Sequence, residues 1–176
     1  MSQTSVRLSS LVLRSAVDAD IALLEALPFS GGLPGKHRQR LERQARGEVR
    51  YLLAVDEGRI IGHLLLKWDC PEESQVRTLI PSCAEIEDFV VEPALTGQGV
   101  GSTMLEHAAD LSHEHSETRL GLAVGNENSH AWGLYERREF ALVPGSAHRV
   151  TWLAREVSGR EIEQLEDCVY LIRELA

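Results

Sequence analysis

The stretch Phe89-Val90-Val91-Glu92-Pro93-Ala94-Leu95-Thr96-Gly97-Gln98-Gly99-Val100-Gly101-Ser102 carries the most readable chemistry in this chain. A strand-like apolar run ends, a glycine-rich turn follows, and helical periodicity begins. The first turn of a helix presents unpaired N–H groups and the positive end of the macrodipole. Glycine lets an anion approach that backbone and supplies torsion angles closed to other residues. Gly97, Gln98, Gly99, Val100, Gly101 and Ser102 are therefore expected to form a main-chain anion site suited to phosphate, although a turn that only packs helix against strand would look similar. Two common phosphate motifs do not fit. A dinucleotide fingerprint, G-x-G-x-x-G, would place its last glycine at Ser102 or Met104, and a P-loop needs a lysine that does not follow this turn.

Just upstream lies Ala84-Glu85-Ile86-Glu87-Asp88-Phe89. In an extended strand Glu85, Glu87 and Phe89 share one face. Two carboxylates held that close repel each other, which can raise the proton affinity of one toward that of a general base. A solvated strand edge is the other reading of the same pair. Downstream, Asn128 is placed to cap a helix over Ser129 to Arg137. No histidine pair has the spacing of a zinc-binding H-E-x-x-H, and no metal site is expected.

Two segments together resemble the GNAT acetyltransferase superfamily. Its first signature, Q/R-x-x-G-x-G/A after a strand that often reads V-x-P, is matched by Val91-Glu92-Pro93 and then Gly99-Val100-Gly101. Its second, N-x-x-A-x-x-L-Y with a nearby Phe, is matched by Asn128-Ser129-His130-Ala131-Trp132-Gly133-Leu134-Tyr135 and Phe140. Thr96 stands where the first signature has Gln or Arg, and Glu139 where a glycine often precedes the phenylalanine. The likeness runs from about Ile60 to Phe140.

The resemblance implies acetyl-CoA as co-substrate and direct transfer of its acetyl group to an amine. It places the pantetheine arm along Val90 and Val91, the pyrophosphate on the amides of Gly97 to Ser102, and Asn128 near the cofactor. It makes the Val91 amide an oxyanion donor and Tyr135 the acid that protonates the departing thiolate. A phenol with a pKa of about 10 is protonated at neutral pH and can donate. Glu85 is in register with the catalytic glutamate of histone-type members, while Glu87 lies nearer the expected acetyl position. Either could serve as base. A catalytically silent acyl-CoA-binding sensor with the same fold is the alternative.

The elements that would hold these groups follow from pattern. Leu11 to Arg14 reads as a strand. Asp18 can cap a helix carrying Ile21, Leu24 and Leu27, which ends at Pro28 and the Gly31–Gly35 cluster. Lys36 to Arg50 holds six basic and two acidic residues and reads as a short basic helix stopping near Gly47, with Leu41 and Ala45 turned inward. Tyr51 to Val55 and Ile60 to Trp68 form a hairpin across Asp56-Glu57-Gly58-Arg59. Cys70 to Cys83 reads as a loop, Ala84 to Val91 as a strand, and Met104, Leu105, Ala108 and Leu111 mark an amphipathic helix. Leu120 to Val124, Phe140 to Val143 and Cys168 to Ile172 are further strands. His148 to Glu163 has no decisive pattern. Hairpin strands followed by strand–helix–strand–helix give an α/β (α+β type) domain, which in the GNAT fold is a central mixed, mostly antiparallel sheet of six to seven strands with helices on both faces.

Composition sets the outer limits. The 176 residues suit a single domain over 1–176, and 43% hydrophobic content supports a core. A net charge of −9 speaks against nucleic-acid partners and is compatible with a cationic acceptor, a small-molecule or peptide amine. The basic segment reads first as a solvated face whose Arg and Glu side chains neutralise each other; if it meets a ligand, it leans toward an anionic group on CoA or on the acceptor. No apolar run is long enough to span a membrane, and no secretory signal is evident. Cys70, Cys83 and Cys168 are odd in number and widely spaced, which fits a cytoplasmic setting without disulfides. The oligomeric state is open, with a homodimer the first expectation.

Overall fold

A computed structural model describes residues 10–30, 33–155 and 160–175. The strands are β1 (Val12–Ser15), β2 (Val49–Asp56), β3 (Arg59–Cys70), β4 (Cys83–Val91), β5 (Arg119–Gly125), β6 (Ala141–Leu142), β7 (His148–Arg155) and β8 (Glu161–Glu174). They form one sheet of eight strands in the order β1-β2-β3-β4-β5-β8-β6, with β7 also on β8. Every pairing is antiparallel except β4 with β5. The sheet thus has more strands than the expected six or seven. The additional pairing comes from the stretch without a decisive pattern: β7 runs back along β8 from His148↔Cys168 to Arg155↔Glu161.

Helices cover both faces. On one, α4 (Val100–Glu114) and α5 (Ser129–Glu136) bury Met104, Leu105, Ala108 and Tyr135 against Ile61, Leu64, Leu66, Ile86 and Leu122. On the other, α1 (Ile21–Glu25) and α2 (Lys36–Ala45) pack Ile21, Leu24 and Leu41 on Tyr51, Leu53 and Leu65. Alternate residues of β2 and β3 therefore feed two cores, as the period of two requires. Among the described residues no helix is long and apolar enough to cross a membrane.

Three local expectations need correction. Ala45 is exposed at the last turn of α2, and the inward position goes to Gln44, whose side chain accepts from the Tyr51 amide at 2.8 Å and donates to the Ala16 carbonyl at 3.0 Å. The expected loop from Cys70 to Cys83 contains α3 (Ser74–Leu79), a helix that buries only Val76 and so has no apolar periodicity to read. Asp20, not Asp18, ties the start of α1: its carboxylate accepts from the Val17 amide at 2.8 Å and pairs with Arg14 at 2.7 Å. Gly31 and Gly32 lie outside the described residues.

Candidate active site

Strand β4 is bordered by two ladders of unequal length. Toward β5 the parallel pairing runs only through Ala84↔Leu120, Glu85↔Gly121 and Ile86↔Leu122. Among the described residues the strand has no partner on that side from Glu87 to Val91, while β5 continues along β8 to Gly125. A wedge-shaped opening results, one wall of which is the free edge of β4 with Val90 and Val91. The cause is a β-bulge. Leu65 pairs with Glu87 and His63 with Val90, so three steps on β4 match two on β3, and Asp88 takes φ of 46°. The extra residue bends the strand locally, just beyond the last rung that joins it to β5.

The bulge also redistributes side chains. Phe89 does not share a face with Glu85 and Glu87 as strict alternation predicts. It packs into the core beside α4, close to Gly101, whereas Glu85 and Glu87 remain on the α2 face. The glycine turn lies where β4 runs out. Gly97 and Gly99 have φ of 80° and 91°, and Gly99 caps α4. An added Cβ at either would meet nothing within 4 Å, so this backbone faces open space. A Cβ at Gly101 would come within 3.2 Å of Leu134 Cδ2, 3.5 Å of Phe89 Cζ and 3.9 Å of Val91 Cγ2. Gly101 is thus the point where the β4 edge, the first turn of α4 and helix α5 meet. Val100 and Ser102 follow in the same turn, and Gln98 donates through its side chain to the Ala94 carbonyl at 3.2 Å.

Helix α5 brings the second set of residues. Asn128 is its N-cap, Oδ1 accepting from the Ala131 amide at 3.1 Å. Tyr135 is buried in the cluster that includes Leu122 and Val124 of β5, with Phe140 tilted against it at 5.8 Å. Among the described residues its hydroxyl has no hydrogen-bond partner, and burial pushes its pKa up to about 12.

Glu85 and Glu87 are not left to repel each other. Lys67, opposite Glu85 in the β3–β4 ladder, places its ammonium 3.0 Å from Glu85, 2.8 Å from Glu87 and 3.2 Å from Glu72. Burial opposes that charge, but attraction to Glu85 and Glu87 outweighs it and raises the lysine pKa. Glu85 also accepts from the Tyr170 hydroxyl at 2.8 Å and is 13% exposed, whereas Glu87 is 46% exposed. Glu87 is accordingly the carboxylate a ligand can reach. The pair is neither a bare dyad nor a solvated edge. Lys67 was legible only as a lone lysine inside the apolar run from Ile60 to Trp68.

A further polar layer under α2 has no motif in the sequence. Ser30 Oγ lies 2.9 Å from His63 Nε2 and 3.2 Å from His37 Nε2, and His37 Nδ1 is 2.7 Å from the Tyr51 hydroxyl. Asp88, at the bulge, is shared by Lys36 at 3.1 Å and Arg40 at 2.5 Å. Burial works against its charge, yet Arg40 and Lys36 hold its pKa below the usual carboxylate range. Burial, aided by Lys36 and Arg40, pushes both histidines down to about 4. The signal for α2 was the i, i+4 spacing of Lys36 and Arg40, which also fits a solvated face. Among the described residues no cluster of His, Cys, Asp and Glu could hold a metal, and all three cysteines are free.

Comparison with known proteins gives a consistent picture. The model of the Acetyltransferase (GNAT) family matches residues 20–140. The chain is 31% identical over 129 residues to the streptothricin acetyltransferase of Streptomyces lavendulae, covering 71% of this chain and 60% of that protein. It spans 60% and 58% of the length of two curated relatives it matches. Among solved structures, the ribosomal-protein-S18-alanine N-acetyltransferase of Escherichia coli has a TM-score of 0.64 at 17% identity, with 95% of each chain covered. A GNAT family acetyltransferase from Elizabethkingia anophelis, solved with acetyl-CoA bound, has a TM-score of 0.60 at 18% identity over 95% of this chain and 99% of that one. These structural likenesses show the fold. A silent binding module finds no support among the proteins named.

Proposed function

The chain belongs to the acetyltransferase (GNAT) family, and from that premise we propose that it is an acetyl-CoA-dependent N-acetyltransferase acting directly on a primary amine of a small molecule or peptide. One observation carries the reading: the β4–β5 ladder stops at Ile86↔Leu122, and the opened edge of β4 leads to a glycine turn whose Gly97 and Gly99 backbone faces open space. That geometry offers a strand edge for an extended, amide-bearing arm and main-chain N–H groups for phosphate.

When bound, acetyl-CoA supplies an activated acetyl thioester. Val90 and Val91 would pair with its pantetheine arm, the amides of Gly97 to Ser102 would hold its pyrophosphate, and Asn128 would flank it. Glu87, directly or through water, would take the proton of the incoming ammonium, with Glu85 holding Lys67 and the carboxylate pair in place. The freed amine would then attack the carbonyl carbon with the Val91 amide stabilising the oxyanion, and the nitrogen would release its second proton to water as the carbon–sulfur bond breaks. Tyr135, kept protonated by burial, would give its proton to the thiolate.

The relatives' printed names cover both a small-molecule acceptor and a protein alanine, so both classes belong in the test. Thiol release from acetyl-CoA, followed over a panel of amines and amino-terminal peptides, should rise only with acceptor present. Thiol release that no amine stimulates would count against the proposal. A cytoplasmic setting and a homodimer are parts of the same proposal, to be checked by localisation and light scattering.

A further inference from the structure

Two charge clusters of opposite sign hang from consecutive residues of the β4 bulge, on the face covered by α2. Glu87, Glu85 and Glu72 surround the single ammonium of Lys67, an excess of two negative charges. Beside it Asp88 is shared by two cations, Lys36 and Arg40, an excess of one positive charge. Neighbouring Cα atoms are about 3.8 Å apart, so the two clusters are anchored side by side. Lys36 and Arg40 are only 16% and 12% exposed, so their unbalanced charge is poorly screened by water. Among the described residues the other titratable groups packed on that layer are His37 and Tyr51 together with His63, whose Nδ1 is buried without a partner there. Burial keeps both imidazoles neutral and the phenol protonated, so none of them cancels the excess.

We propose that the acceptor is a zwitterion: an amine whose ammonium is drawn to the Glu72, Glu85 and Glu87 side while a carboxylate a few bonds away is received by Lys36 and Arg40. The proposal rests on the N-acetyltransferase reading and narrows its substrate class. It also reconciles two contrary leanings of the sequence, since the acidic chain and its basic helix address opposite ends of one molecule.

The test uses matched pairs that differ only by the carboxylate: L-lysine with cadaverine, L-ornithine with putrescine, and L-phenylalanine with phenethylamine. Thiol release from acetyl-CoA gives kcat/KM for each. In at least one pair the amino acid should exceed its amine by about tenfold or more, the scale of one charge-assisted hydrogen bond. Lys36→Gln should remove most of that ratio and Lys36→Arg should keep it. Amines equal to or better than amino acids in every pair, no turnover of any pair by protein that binds acetyl-CoA in a calorimeter, or a ratio unmoved in Lys36→Gln would each overturn the proposal. Failure to bind acetyl-CoA at all would overturn the N-acetyltransferase reading beneath it.

Discussion

Replacing Lys67 with methionine leaves volume nearly constant and removes one charge. Lys67 is 4% exposed and is the shared cation of Glu85, 13% exposed, and of Glu87 and Glu72, 46% and 66% exposed. Removing one partner of a fully buried pair costs 3–5 kcal/mol, roughly, because the other charge stays buried and alone. Here the two outer carboxylates can turn into water, and only Glu85 is trapped, still holding the Tyr170 hydroxyl. The expected loss is therefore about 2–3 kcal/mol, or roughly 5–10 °C in Tm for a domain of this size. Thermal and urea unfolding followed by circular dichroism measure it. Adding Glu85→Gln should restore more than half of the loss, because the neutral amide no longer needs a cation. The double variant separates lost charge from lost packing. A loss below about 1 kcal/mol, or no recovery in the double variant, would refute the reasoning that Lys67 balances a trapped carboxylate.

Other expectations are equally specific. Tyr135→Phe should lower kcat by about a hundredfold to ten-thousandfold with little change in KM, the range for losing a general acid; because burial pushes the phenol up to about 12, the wild-type rate should show no loss from this group up to pH 10, roughly, and a fall at lower alkaline pH would contradict the assignment. His37 and His63 are pushed down to about 4, so between about pH 6.5 and 4 the unfolded chain takes up protons that the folded histidines refuse. Stability should be complete above that window and fall as pH drops through it, and His63→Gln should flatten the Tm-versus-pH curve there. Glu139, exposed with φ of 63°, sits in the left-handed region, so Glu139→Gly should raise stability by about 0.5–1 kcal/mol; a fall in Tm would show that its side chain matters more than its backbone.

Those residues also show what a linear reading can reach. The glycine turn and the Asn128–Tyr135 helix are local motifs, with spacing set by one turn and one helix face, and both stand where the pattern puts them. Glu139 replaces a residue that is often glycine, and its positive φ explains the preference. The Lys67 cluster depends on the register between β3 and β4, where Lys67 faces Glu85 across a long connection. No local periodicity encodes that pairing. The Asp88 bulge was hidden for a related reason, since one extra residue in a strand leaves the apolar pattern intact while turning Phe89 to the opposite face. The cations on α2 look like surface charge until the bulge brings Asp88 beneath them.

The central claim is that the opened β4 edge and the glycine turn form a CoA site, and calorimetric titration with acetyl-CoA, CoA and NADH tests it directly. Saturable heat with acetyl-CoA and with CoA, and none with NADH, is the predicted result. Absence of binding to either CoA species would contradict it, leaving the turn at Gly97 to Ser102 as a packing feature of the fold.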